Sequence, residues 1–253
     1  MDIIVCIKRV AATDSKVKPG ADGKSLDPQG VEFVLNPNDE FAVEEALKTR
    51  EAKGGKVTIL CLGPADAQKE IRTCLAMGAD EGIHLKDAST TRDAHSTATI
   101  LANRIKTMKC DLLLFGRQAV DGDNSQVGQR VATLLGLPCV HEVTKLALGD
   151  GRLTAERDIE GGKEVVECPL PAVITTQKGL NEPRYANLKG IMAAKKKEIR
   201  DVTPSAGTFT SAATIQKVYM PLKTKQTQIL GNGDAKAGAV ELVQRLKDEA
   251  RVI

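Results

Sequence analysis

Residues 3–7 form an unbroken apolar run, as a strand covered on both faces should. Phe41, Val43, Ala46 and Leu47 then give one apolar side to a helix starting near Asp39. Residues 56–62 read as a second strand. A helix over 65–77 follows, closed by Gly78 just past its C-terminus. A third strand spans 81–85. Ala94, Ala98, Leu101, Ile105 and Met108 follow helical spacing, and 112–115 is a fourth strand ending at Gly116. Val127, Val131, Leu134 and Leu135 mark one more helix, closed by Gly136.

Strict alternation of strand and helix implies parallel strands with helices on both faces of the sheet and right-handed crossovers. Ligands in such sheets bind at the carboxyl ends of the strands, where strand order reverses. The loops after Ile7, Leu62 and Phe115 are the places to look. After Pro138 the pattern shortens. Residues 143–148, 152–159 and 164–168, separated by glycine-rich turns, predict antiparallel hairpins, and 171–176 one further strand. From 200 to 233 periodicity fades among Pro204, Gly207, Pro221, Gly231 and Gly233, which predicts an extended arm. A short helix near 239–250, with Val240, Val243 and Leu246 on one side, ends the chain. The expected division is an α/β domain over 1–199 and a C-terminal arm with its helix over 200–253.

Composition narrows the function. Of 253 residues, 36 are basic and 33 acidic, a net charge of +3 that is too even for a nucleic-acid binder. There is no Trp, and there are only two Tyr and four Phe, too few for base-stacking platforms or for a complete flavin site built from this chain alone. No apolar run reaches the roughly 20 residues of a membrane span. The start of the chain lacks the basic, then apolar, pattern of a signal peptide, which predicts a cytoplasmic protein in a bacterium or a matrix protein in a mitochondrion. The six cysteines form no C-x-x-C pair and predict reduced, buried thiols. The three histidines are too scattered for a zinc site or a Cys/His nucleophile pair, and no catalytic acid or base stands out.

Three segments carry candidate chemistry. In the first, Gly116, Arg117, Gln118, Ala119, Val120, Asp121, Gly122, Asp123, Asn124, Ser125 and Gln126 join a buried strand to an amphipathic helix. Asn124 or Ser125 is placed to cap that helix, whose free N–H groups suit a phosphate. Asp121 and Asp123 repel phosphate unless they turn to other partners. An ordinary strand-to-helix turn is the alternative. The second segment is Asn36, Pro37, Asn38 and Asp39. It reads as a helix start with Asp39 as cap, or as a nucleotide contact at the sheet edge. In the third, Tyr185, Leu188, Ile191 and Met192 mingle with Arg184, Lys189, Lys195, Lys196 and Lys197. An apolar anchor ringed by cations suits docking, and a solvated lysine face is the alternative.

The order of V-C-I-K-R-V from Val5, N-P-N-D from Asn36, G-R-Q-A-V-D-G-D with S-Q-V-G-Q, and L-N-E-P-R-Y-A-N-L with K-K-K resembles the electron-transfer flavoprotein beta subunit. Arg157, Glu160, Gly161, Gly162, Glu164, Pro171 and Thr175 agree in spacing. The resemblance implies a flavodoxin/Rossmann-like, adenine-nucleotide-binding α/β fold. It implies AMP bound at Cys6, residues 36–39, Leu62 and 115–126, with FAD held mainly by an alpha subunit. It further implies a recognition loop over 181–197 with Leu188 as anchor, and an arm wrapped on the alpha subunit. Electrons would pass from an acyl-CoA or other flavin dehydrogenase, as in fatty acid oxidation, through that FAD to a quinone oxidoreductase. One branch of the family holds a second FAD in place of AMP. Asp121-Gly122-Asp123 and residues 125–128 lean toward it, whereas Gln129, residues 160–162 and 181–185 lean toward AMP, the expected ligand. A stand-alone nucleotide-binding stress-type protein is the rival of another class.

Overall fold

The computed structural model describes residues 1–89, 92–204, 211–222 and 227–253. The first apolar run becomes β1 (Asp2–Ile7), followed by a two-stranded ribbon of β2 (Arg9–Ala11) and β3 (Phe33–Leu35). Then come α1 (Pro37–Lys53), β4 (Lys56–Gly63), a 3-10 turn (Ala65–Ala67), α2 (Gln68–Met77), β5 (Glu81–Lys86), α3 (Ala94–Ile105), β6 (Leu112–Gly116) and α4 (Val127–Leu135). The second half supplies β7 (Cys139–Leu148), β8 (Arg152–Ile159), β9 (Gly162–Pro169), β10 (Ala172–Thr176), α5 (Leu188–Ala194), β11 (Ile199–Val202) and α6 (Ala235–Asp248).

The main sheet runs β11-β5-β4-β1-β6-β10-β7-β8-β9. Strands β11 through β6 and β10 are parallel, and β7 pairs parallel with β10 but antiparallel with β8. The apolar runs alternate between two cores, because successive side chains of a strand point to opposite faces. Ile3, Val5, Leu112 and Leu114 pack with Val43, Leu47, Ile71 and Leu75 of α1 and α2. Ile4, Leu113 and Phe115 pack with Leu101, Ile105 and Val131 of α3 and α4. Each such side chain contributes about 1.5–3 kcal/mol of burial, so the two-sided sheet is the principal source of stability.

Several expectations need correction. The strand expected at 143–148 begins at Cys139, and its first part extends the parallel sheet; only its second part forms a hairpin with β8. Pro37 occupies the first turn of α1, so the helix starts before Asp39, where a residue without an N–H costs nothing. The expected boundary at 199/200 falls inside β11, which adds to the sheet edge beside β5. Further along the supposed arm, Asp93 accepts from Ala212 N at 2.7 Å, and Val218 N donates to Gly23 O at 2.8 Å. Positions 205–210 and 223–226 of that arm lie outside the described residues.

Two compact units result, Met1–Val218 and Tyr219–Ile253. In the second, α6 starts earlier than expected because Asp234 caps it, accepting from Lys236 N at 2.8 Å. None of its residues is buried, and Val240, Leu242 and Val243 stand exposed.

Helix α5 lies against α2, where Arg72 donates to the Ala194 carbonyl and Gly190 makes a close approach. A Cβ on Gly190 would sit 2.3 Å from the Ala76 carbonyl oxygen. Gly190→Ala should therefore push α5 outward and cost about 1–3 kcal/mol in chemical denaturation, and a silent outcome would mean that α5 is not packed there.

Candidate functional site

The chain winds from β1 through β4 to β5, then returns across β1 to β6. Strand order reverses between β1 and β6, and the loops leaving their carboxyl ends meet there. Asn36, almost fully buried, joins them. Its Nδ2 donates to Asp39 Oδ1 at 2.8 Å and to the Gln118 carbonyl at 3.0 Å, while its Oδ1 accepts from Val120 N at 3.2 Å. Asn38 Nδ2 adds a second bond to the Gln118 carbonyl at 2.8 Å. Asp39 reaches back to β1, accepting from Lys8 N at 2.7 Å. It therefore does not cap α1 as expected; the N-cap is Asn36, without a side-chain cap. Gly116 is required at the junction, since a Cβ there would lie 2.3 Å from Asp39 Oδ1 and 2.6 Å from the Asn38 carbonyl carbon.

The loop over 116–126 has its two carboxylates turned to the protein. Asp121 takes Lys8 Nζ on both oxygens at 2.7 Å, and Asp123 accepts from Gln118 Nε2 at 2.8 Å. Arg117 pairs with Glu142 at 3.3 Å. Asp123 and Ser125 adopt left-handed conformations, φ 47° and 49°, and Ser125 Oγ donates to the Arg117 carbonyl at 3.2 Å. Such backbone strain gathers at ligand loops. Neither Asn124 nor Ser125 caps α4: the N-cap is Gln126, and no side chain bonds the first-turn N–H groups. Those donors sit at the positive end of the helix dipole, beside a loop in which Lys8 neutralises Asp121 and Gln118 holds Asp123, which fits a phosphate.

The other expected contacts divide. Cys6 and Phe115 are buried in the core under α3 and α4, and Leu62 packs at its margin. Only their backbone lies at the strand ends. Burial pushes the Cys6 thiol well up and Cys61 to about 12, which makes both poor nucleophiles. Among the described residues, no group of three or more His, Cys, Asp or Glu is placed to hold a metal ion.

The segment over 181–197 is clamped at both ends. Asn181 donates to Phe41 O at 3.0 Å and Glu45 Oε2 at 2.9 Å. Arg184 grips Glu44 through Nε and Nη2, at 2.8 and 2.9 Å, and also pairs with Glu51. At the far end Arg72 donates to the Lys197 carbonyl at 2.8 Å, and Lys197 Nζ bonds the carbonyls that end α2, among them Leu75 O at 3.2 Å. Arg184 and Lys197 thus serve the fold rather than standing free as cations. Tyr185 and Leu188 project into solvent, 98% and 76% exposed, with Ile191, Met192, Lys189, Lys195 and Lys196 exposed around them.

Sequence reasoning missed Lys8, Glu44, Glu45 and Glu142. The one available signal was local: Glu44 and Glu45 interrupt the apolar side of α1, where a buried carboxylate demands a partner.

Burial pushes Asp39 up to about 7, against the pull of the donors Asn36 Nδ2, Lys8 N and Gly116 N. Between about pH 4 and 7 the folded chain then holds a proton that the unfolded chain has released, so this group favours folding most at low pH. Asp39→Asn cannot titrate and turns an N–H toward existing donors. It should cost about 1–3 kcal/mol near pH 5, with a deficit that shrinks toward pH 7. Urea denaturation of both proteins across this range checks it; a deficit that grows with pH would contradict it.

A profile described as the electron transfer flavoprotein domain matches residues 24–206. Over the whole of both chains, the sequence is 37% identical across 261 aligned residues to the electron transfer flavoprotein subunit beta of Bacillus subtilis strain 168. It is 38% identical across 254 residues to the protein of that name from Bradyrhizobium diazoefficiens, again with both chains fully covered. It is 39% identical across 259 residues to the mitochondrial one of Oryza sativa subsp. japonica, likewise end to end. With most of the chain inside the profile and full-length relatives all bearing one name, the chain belongs to the electron transfer flavoprotein family, among its beta subunits.

Proposed function

We propose that the chain is one half of an electron-carrying heterodimer, binding AMP at the β1/β6 switch point and docking flavin dehydrogenases through Leu188. The FAD, held mainly by an alpha subunit, supplies the redox chemistry, taking electrons from an acyl-CoA or other flavin dehydrogenase and passing them to a quinone oxidoreductase. The chain's own residues bind and position. The uncapped first turn of α4, beside a loop at 116–126 whose Asp121 is paired with Lys8, is the observation that carries the nucleotide reading. Asn36 and Asp39 hold that loop against β1. AMP is favoured over a second FAD because no aromatic residue among 36–39 or 116–126 offers a flavin ring a stacking partner. The open apolar side of α6 supports packing of the C-terminal segment on the alpha subunit.

Co-expression with an alpha subunit should yield a one-to-one complex by sedimentation. Mass spectrometry of its extracted nucleotides should find FAD and AMP in equal amounts. Two FAD and no AMP would replace this reading with the second-flavin branch. A homodimer carrying ATP without flavin would replace it with a stress-type protein.

The docking reading stands on an apolar cluster held out by a rigid clamp. Order at Asn181, Arg184, Arg72 and Lys197 lowers the entropy lost when Leu188 enters a pocket. Leu188→Ala should slow electron transfer from a cognate dehydrogenase through weaker association, by about 1–3 kcal/mol, with thermal stability and flavin content unchanged. Stopped-flow reduction measures this; unchanged transfer would remove Leu188 from the interface.

A further inference from the structure

We infer that the Lys8–Asp121 ion pair sets how many phosphates the nucleotide site accepts, restricting it to a nucleoside monophosphate. This inference rests on the proposed nucleotide reading and names the residues that would give it selectivity.

Lys8 is fixed by its backbone. Its N–H donates to Asp39 and its carbonyl accepts from Asn36 N at 2.9 Å. Asp121 is fixed by its neighbours: Val120 N bonds Asn36, and the N–H groups of Gly122 and Asp123 both reach the Ala119 carbonyl. The ammonium therefore spans from the end of β1 to the loop after β6 with both partners already in place, and it meets both carboxylate oxygens. Two further cations are committed as well. Arg9 lies over the Phe33 ring beside buried Glu70, and Arg117 faces Glu142.

A phosphate in this loop would meet backbone N–H groups and small polar side chains, and no uncommitted ammonium or guanidinium among these three. Dipoles of that kind suit one phosphate. A second phosphate adds negative charge that none of these three cations is free to receive, close to a carboxylate that only Lys8 offsets. Removing Asp121 frees Lys8 for that second phosphate. Removing Lys8 exposes the carboxylate to both ligands, and more severely to the one of higher charge.

The test is competition between AMP and ADP for the intact heterodimer, with bound nucleotide quantified after exchange to equilibrium. The wild-type complex should retain AMP in preference. Asp121→Asn should lower the AMP-to-ADP ratio by about threefold, and Lys8→Gln should raise it by about as much. Lys8→Arg should behave as wild type, and the pair Lys8→Gln with Asp121→Asn should return close to the wild-type ratio. The substitutions leave the backbone bonds of both residues intact, and thermal melting verifies that each complex is folded. Ratios unchanged in both single variants, with AMP still bound, would overturn this inference and leave the AMP site standing. Preference of the wild-type complex for ADP would overturn it as well. Failure of the wild-type complex to retain any adenine nucleotide would overturn both.

Discussion

The buried amide of Asn36 is the constraint on which the candidate site depends. Its two hydrogen-bonding atoms are spent on three partners in two segments: Asp39 in α1, and Gln118 and Val120 in the loop after β6. Asp39 carries the connection on to β1 through Lys8 N. A buried polar network of this kind is stable only when every member is satisfied, so it selects one arrangement of the loop rather than a family of them. Gly116 makes the arrangement sterically possible, and Pro37 sets the entry angle of α1 without wasting a donor.

From that junction the functional parts follow physically. The loop is held, so its two carboxylates can be directed to Lys8 and Gln118. The start of α4 is left with backbone donors and no side-chain cap. The same helix α1 that begins at the junction presents Glu44, Glu45 and Glu51 farther along, and these hold Asn181 and Arg184. One helix therefore anchors both the candidate nucleotide loop at its N-terminus and the segment that leads to exposed Leu188.

The parallel half of the fold was legible because each strand is a short apolar run and the helices between them carry apolar spacing, two of them closed by Gly78 and Gly136. Insertion of β10 between β6 and β7 was not, since nothing local in 172–176 records which strands it will separate. The loop at 116–126 was legible as a ligand candidate from its glycines and its place between strand and helix. Its electrostatics were not, because the cation that neutralises Asp121 lies 113 residues earlier. The anchoring of Arg184 and Lys197 was not legible for the same reason: their acceptors sit in α1 and at the end of α2. The helix caps misled at Asp39, where a tertiary bond to Lys8 N outcompeted the local one.

Hydrogen exchange of the heterodimer with and without its adenine nucleotide tests most directly whether the β1/β6 junction is the binding site. Removal of the nucleotide should deprotect amides over 116–129 and near 36–39, while β8, β9 and α5 stay as they were. Deprotection confined to the β8–β9 hairpin, or no change over 116–129, would contradict the assignment.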